Sequence, residues 1–341
     1  MLEVLDTRLL SVLTWYHLSF LAVSVAMLGM AAGAVLVFVG GELFAPERAV
    51  RLLPIAGAAF ALALPVSHIA NLVIPFPAVR GGSPAELAAL AVATLVLTIP
   101  FILSGLVVTL ALTRTRAPIG LLYGVDLLGA ATGCLAIIWL LERTDITSTA
   151  LASGGAAAIG AVCFARHAGT RGRSALLLAI VLFGASALNA TSDRRLGVIY
   201  PKSRSLWMDE RAIDYSAWNA HSNVTVRTPA EGSAFLWGPG ADTPETKVTM
   251  AVAAIDGDAG TVITKWNGDP PALDWVQYDI TSLPYRIRGG EVAVIGVGGG
   301  RDILTAIWSG NTRITGIEIN KALVGALRGR YRPKRRRSLP S

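Results

Sequence analysis

The sequence is short of charge. Asp, Glu, Lys and Arg make up 16% of its 341 residues, where soluble domains carry about 25%. That shortage excludes the pair of soluble domains that length alone would suggest. Cysteine is nearly missing too. Cys134 and Cys163, the two in the chain, both sit in apolar stretches, which excludes a disulfide framework and is read as packed core thiols. A basic leader region is also lacking. MLEVLDTRLL holds two acids and one Arg ahead of a long apolar run, with no small-residue cleavage site, so a retained first span is expected instead of a signal peptide.

What the chain has in plenty is apolar residues, 53% of the total. Nearly all of the apolar runs lie before residue 190, and most of the charge follows. A bilayer-crossing helix needs about 20 mostly apolar residues. Six stretches meet or approach that: 11–40, 52–74, 86–112, 119–141, 148–166 and 175–190. Gly40-Gly41 with Pro46, Pro75 to Gly82, Arg114 to Pro118, Glu142 to Asp145 and Arg166 to Arg173 break them apart. Small residues recur as in Gly29, Ala32 and Gly33, which lets helices approach closely in lipid. The pattern is a polytopic α-helical membrane bundle over residues 1–190, with the lipid bilayer as its first partner.

Polar groups inside the spans are few. Asp126 stands about two turns into the fourth span, beside Tyr123. A carboxylate at that depth is expensive. It either faces the interior of the bundle as a functional group or pairs near the interface with Arg114 or Arg116. His17, with Trp15 and Tyr16, fits an interfacial aromatic belt. His68 and Asn71, three apart on one helix face, are expected to bond between helices. No succession of ionisable groups resembles a proton relay. Lys and Arg divide evenly between the two sides of a six-span topology, so the loop charges do not orient it.

After residue 190 the texture becomes polar and alternating. Segments 221–227, 234–237, 247–255 and 260–266 read as strands, and the last pair, joined through IDGDAG, reads as a hairpin. A β-rich module is expected over 191–288. Asp256 and Asp258 are turn residues on this reading, because the further acids and closing Glu of a calcium loop are missing and no metal is expected. Seven of the last fourteen residues are basic, and taking them away leaves a net charge of zero. Residues 332–341 are read as a solvated, disordered tail. No aromatic or base-reading motif accompanies it, so no nucleic-acid partner is expected.

The most informative stretch is EVAVIGVGGGRDILTAIWSGNTRITGIEIN. Residues 291–296 form an apolar strand of the kind that parallel sheets cover on both faces. Gly296, Gly298, Gly299 and Gly300 make a tight loop, Arg301 follows, and Asp302 suits the start of a helix. A second strand, 313–319, carries Glu318 twenty-two residues after Gly296. An acid at that place can accept hydrogen bonds from both ribose hydroxyls. A dinucleotide loop would read GxGxxG, but its third glycine position holds Arg301 here. The G-x-G-G-G pattern is nearer to S-adenosyl-type loops, which need no pyrophosphate cradle. Residues 289–331 are thus read as a partial Rossmann-like nucleotide-binding unit.

Taken in order, YHLSFLAVSVAMLGMAAGAVLV, LYGVDLLGAATGC, YSAWNAHSNVTV and IDGDAGTVITKWNGD through LPYRIRGGEVAVIGVGGGRD resemble the membrane-fused members of the bacterial spermidine synthase-like (polyamine aminopropyltransferase-like) family. The resemblance runs to about Arg330. It implies S-adenosylmethionine or its decarboxylated form as cofactor, with Gly296, Gly298, Gly299, Gly300, Arg301, Asp302 and Glu318 around it. It also implies an amine substrate near Asp256, a bacterial inner-membrane location with the tail in the cytoplasm, and a homo-oligomer. Two departures stand against full activity. The glutamine expected soon after Asp256-Gly257 is absent, with Gly260 near its place, and the region of the family's catalytic aspartate has no counterpart. A truncated transferase or a shortened pseudoenzyme is therefore expected, too small in its last unit to bury its own faces. The alternative is a membrane carrier or scaffold with a vestigial nucleotide-binding tail.

Overall fold

A computed structural model of the chain describes residues 1–74, 83–193, 195–199, 201–202 and 213–332. The expected break at Pro75 to Gly82 and the basic tail beyond Arg332 lie outside the described residues. The chain divides into two compact units, Met1–Trp207 and Met208–Ser341, and each is taken by itself.

The first unit is helical: α1 (Leu2–Leu13), α2 (Tyr16–Ser19), α3 (Leu21–Val39), α4 (Pro46–Val73), α5 (Pro84–Arg114), α6 (Ile119–Leu141), α7 (Ile146–His167) and α8 (Arg173–Thr191). Local chemistry sets several starts. Ser83 and Glu86 form a reciprocal capping box on α5, and the Asp145 carboxylate accepts from the Ser148 amide at the start of α7. Among the described residues six helices are long and apolar enough to cross a membrane, beginning with the α2–α3 segment Tyr16–Val39. The chain is a membrane protein by that measure.

The first span starts later than hydropathy suggests. The apolar run from residue 11 belongs to two helices, because Thr14 is extended and its hydroxyl donates to the Leu10 carbonyl, which ends α1. Short as it is, α1 buries Leu5, Leu9 and Leu10 completely. The two cysteines are not core thiols. Both are exposed, since apolar residues of a membrane helix face lipid as readily as another helix. Between helices, His68 Nε2 and Thr147 Oγ1 share a hydrogen bond of 3.2 Å, as its place on α4 suggested. Asn71 instead donates within α4, to the Ser67 carbonyl at 2.9 Å.

The second unit begins with five antiparallel strands: β1 (Ile213–Trp218), β2 (Asn223–Arg227), β3 (Ala230–Ser233), β4 (Lys247–Ile255) and β5 (Ala259–Thr264). Their order is β1-β2-β4-β3, with β5 on the other edge of β4. The β4–β5 hairpin is the one anticipated. Residues 234–237 are not a strand: they form a loop after β3, and their apolar side chains pack outside the ladder. Two 3-10 turns (Pro270–Tyr278 and Ile280–Ser282) and α9 (Leu283–Ile287) lead to β6 (Val292–Ile295), α10 (Arg301–Trp308), β7 (Ile314–Ile317) and α11 (Lys321–Arg328). β6 and β7 pair in parallel, from Val292 opposite Ile314 to Ile295 opposite Ile317.

This strand–helix–strand piece buries its helices on the β-rich sheet and turns beside it. Leu323 of α11 is fully buried against Val224, Val226, Ala251, Ala253 and Ile263, worth roughly 2 kcal/mol for that side chain alone. Leu304 of α10 packs on Leu273, Trp275 and Val276. The parallel pair itself is less covered than its apolar sequence implied, for Ile295 is 82% and Ile317 50% exposed.

Candidate nucleoside-binding site

The loop between β6 and α10 is residues 296–300. Gly296, Gly298 and Gly300 take φ of +74°, +55° and +89°, which only glycine adopts without strain. Gly299 is needed for a different reason: a Cβ there would run into the Val262 carbonyl of β5. The loop is therefore laid on a strand edge. The Gly299 amide donates to Thr261 Oγ1 at 2.8 Å. The remaining amides are engaged as well. Gly296 donates to the Ile317 carbonyl, Gly300 to the Val297 carbonyl, and Gly298 to Glu318 Oε2 at 3.0 Å.

Glu318, one residue past β7, is held at both oxygens. Its Oε1 accepts from the Asn320 amide at 2.8 Å. Each carboxylate oxygen has two acceptor positions, so one on each remains for another donor. Asn320 caps α11 by accepting from the Ala322 amide. It also accepts from Asn219 Nδ2 at 2.9 Å and donates to Ser222 Oγ at 2.8 Å. Next to Ser222, the Asn223 amide donates to Asp256 Oδ1 at 2.7 Å. A row of hydrogen bonds, carried across the Ser222–Asn223 peptide bond, thus runs Gly298, Glu318, Asn320, Ser222, Asn223, Asp256. It joins the glycine loop to the β4–β5 turn, where Asp256 is 4% exposed and takes φ of +51°. Asp256 and Gly257 both have positive φ, as a type I′ hairpin turn requires.

At the other end of the loop, Arg301 is clamped. Its guanidinium lies 3.4 Å from Asp279 and 3.2 Å from Asp302. It is also within 5.7 Å of the Phe235 ring centre and 5.6 Å of the Trp237 ring centre. Asp279 is wholly buried and accepts from the amides of Trp237 and Thr281 as well. Nearby, burial and the Asp302 carboxylate together push the Tyr285 phenol up from its ordinary value.

The structure gathers the loop glycines, Arg301, Asp302 and Glu318 at the carboxyl ends of β6 and β7, and links Asp256 to them by the row. Asp126 belongs to the other unit; it is exposed on α6 and pairs with neither Arg114 nor Arg116 among the described residues. Sequence reasoning missed Thr261, Asn320 and Asp279. Asn320 left a signal, an amide side chain between a strand and the apolar start of a helix. Asp279, a single acid among irregular turns, left none. Compared with known proteins, the chain matches no family model, no curated protein and no solved structure.

Proposed function

We propose that the second unit binds a nucleoside of the S-adenosyl type and that the chain is a spermidine synthase-like integral membrane protein of aminopropyl- or methyl-transferase ancestry. The state of the loop amides carries this reading. Those of Gly296, Gly298, Gly299 and Gly300 are all spent inside the chain. A pyrophosphate cradle needs such amides free, so the loop suits a ligand without phosphates. Glu318 meanwhile keeps one acceptor position on each oxygen, matched to two ribose hydroxyls. On the open side of the loop, a Cβ at Gly296 or Gly300 would meet nothing within 4 Å, which leaves room for the nucleoside.

An S-adenosyl group, when bound, supplies an electrophilic carbon beside a sulfonium. The chain's part is to hold it. Glu318 orients the ribose, the loop glycines let the backbone come close, and the Arg301–Asp279 clamp fixes the first turn of α10. Asp256 holds the β4–β5 turn against β2 and so shapes the edge where an amine acceptor would lie. The unit then works on the cytoplasmic side of a bacterial inner membrane, where such cofactors are made. The carrier reading has no comparable observation behind it.

Titration calorimetry of the full chain in detergent tests this. S-adenosylmethionine or its decarboxylated form is expected to bind, and Glu318→Ala to weaken binding more than tenfold, at about 1.4 kcal/mol per factor of ten. NAD binding in place of both would make the loop a dinucleotide site. Silence from all three at millimolar concentration would remove the reading.

A further inference from the structure

We infer that the second unit rests on the bilayer through an outward-facing apolar patch of Trp237, Ile280, Leu283 and Ile287, with Arg286 and Arg288 at its rim against anionic headgroups. Ile280, Leu283 and Ile287 lie three and four residues apart on one helical stretch, where the second 3-10 turn runs straight into α9. At that spacing they share one side. A surface helix of a globular unit turns such a side to the core. Here it is turned out, with Ile280 61%, Leu283 52% and Ile287 79% exposed. What this stretch buries is the small polar Ser282. Trp237 joins the patch from the loop after β3. Its carbonyl accepts from the Ile280 amide at 3.1 Å, and the residue is 54% exposed. The patch is held from beneath, because the buried Asp279 carboxylate accepts from the amides of Trp237 and Thr281. Four large apolar side chains are thus fixed near one another and left uncovered.

The chain itself says what covers them. The helix α8, long and apolar enough to cross a membrane, ends at Thr191, and β1 begins at Ile213. Residues 192–212 between them span at most about 75 Å when fully extended, so lipid is always within reach of the second unit. A tethered surface meets its target at high effective concentration, and a modest patch is then enough to hold it. The composition fits a membrane interface. Apolar side chains enter the boundary between headgroups and acyl chains, an indole ring sits at that level, and arginines reach anionic headgroups. Arg286 and Arg288 stand on either side of Ile287, and both are exposed. No carboxylate lies in the stretch 280–288 to oppose them. The inference does not depend on the ligand proposed for the glycine loop.

Site-directed fluorescence on the full chain in vesicles tests it. Cys134 and Cys163 are replaced by serine, and an environment-sensitive probe is attached to one introduced cysteine at a time. In vesicles of phosphatidylcholine with phosphatidylglycerol, probes at Leu283→Cys and Ile287→Cys should emit to the blue and be quenched by nitroxides on the lipid acyl chains. A probe at Arg328→Cys, on α11 beside β1 at the other edge of the sheet from β3, should be quenched by aqueous iodide instead. With the probe at position 283, Arg286→Gln and Arg288→Gln should each lower the ratio of lipid-bound to free probe about fivefold. Ile280→Ser should lower it roughly tenfold. Probes at 283 and 287 that stay in water would overturn the proposal. So would a blue-shifted probe that the nitroxides do not reach, because protein and not lipid would then cover the patch. Equal nitroxide quenching at 287 and 328 would overturn it as well.

Discussion

The α3–α5 crossing in the membrane unit and the 296–300 loop in the second unit are both built on glycine, and the missing side chains make room for different things. At the crossing, a methyl on Gly29 would lie 2.5 Å from Phe101 Cβ, and methyls on Gly33 and Gly105 would overlap the backbones of Ile102 and Met30. Two helices with no other reason to adhere in lipid come close there because nothing stands between their backbones. In the loop, Gly299 lets backbone rest on the edge of β5, while Gly296 and Gly300 open onto space and turn the chain. A glycine run that reads as a ligand loop is therefore partly a packing joint. The part left open for the proposed ligand has positive φ and no neighbour.

Substitutions can break this comparison, and the largest effect belongs to Gly299→Ala. The Val262 carbonyl it would strike is in mid-strand, with Val262 paired to Val252 in the β4–β5 ladder. Neither side can yield without breaking hydrogen bonds, and the Gly299 amide would leave Thr261. Overpacking of this kind plus one lost hydrogen bond amounts to about 3 kcal/mol, readable by pulse proteolysis in urea. Gly33→Ala should cost less, about 1–2 kcal/mol, because α3 and α5 can slide apart as rigid rods. Denaturation of the helical signal in mixed micelles measures it. If Gly33→Ala proves the costlier of the two, the distinction between a pinned and a sliding joint fails.

Legibility followed the strength of local signals. The fourth span, 119–141, could be placed to the residue because Arg114 to Pro118 and Glu142 to Asp145 close it with polar and breaking residues. Strand 247–255 was equally plain, an alternating run ending at Asp-Gly. The start of the first span was obscured because hydropathy averages across Thr14, whose extended backbone is a local event. The segment 213–218, IDYSAW, did not read as a strand, yet β1 forms because β2 pairs with it along its length. The apolar 234–237 misled in the other direction, its Phe235 and Trp237 being used against Arg301. At the site, Glu318 and the glycines announced themselves by spacing. Thr261 and Asp279 reach the loop from elements 38 and 22 residues away, and no pattern along the chain records such contacts.

The smallest effect concerns charge, which one joint uses and the other does not. The α3–α5 crossing has no titratable side chain between Leu21–Val39 and the facing stretch of α5. The end of the second unit does. Arg330 donates through Nε and Nη2 to the Asp214 carboxylate of β1, and the Tyr331 hydroxyl donates to the same group at 2.7 Å. The Arg330 hydrogen bonds hold the Asp214 carboxyl below its usual range, and burial followed by Asp214 pushes the Tyr331 phenol up. A carboxyl depressed in the folded state contributes stability above its unfolded pKa, near 4, and loses it as pH falls through the folded value. A raised phenol contributes below about pH 10 and is lost as pH climbs through its folded value. Protection of α11 amides, corrected for intrinsic exchange, should therefore be level between about pH 4 and 10 and fall on either side. The amides at the α3–α5 crossing should show no such edges. Asp214→Asn should remove the acid edge, because a neutral amide has no charge to lose, and should move the alkaline edge to lower pH without abolishing it, because burial still raises the Tyr331 phenol. An acid edge that survives in Asp214→Asn would mean that another carboxylate holds α11 in place, and the charge-built joint would have to be sought elsewhere along β1.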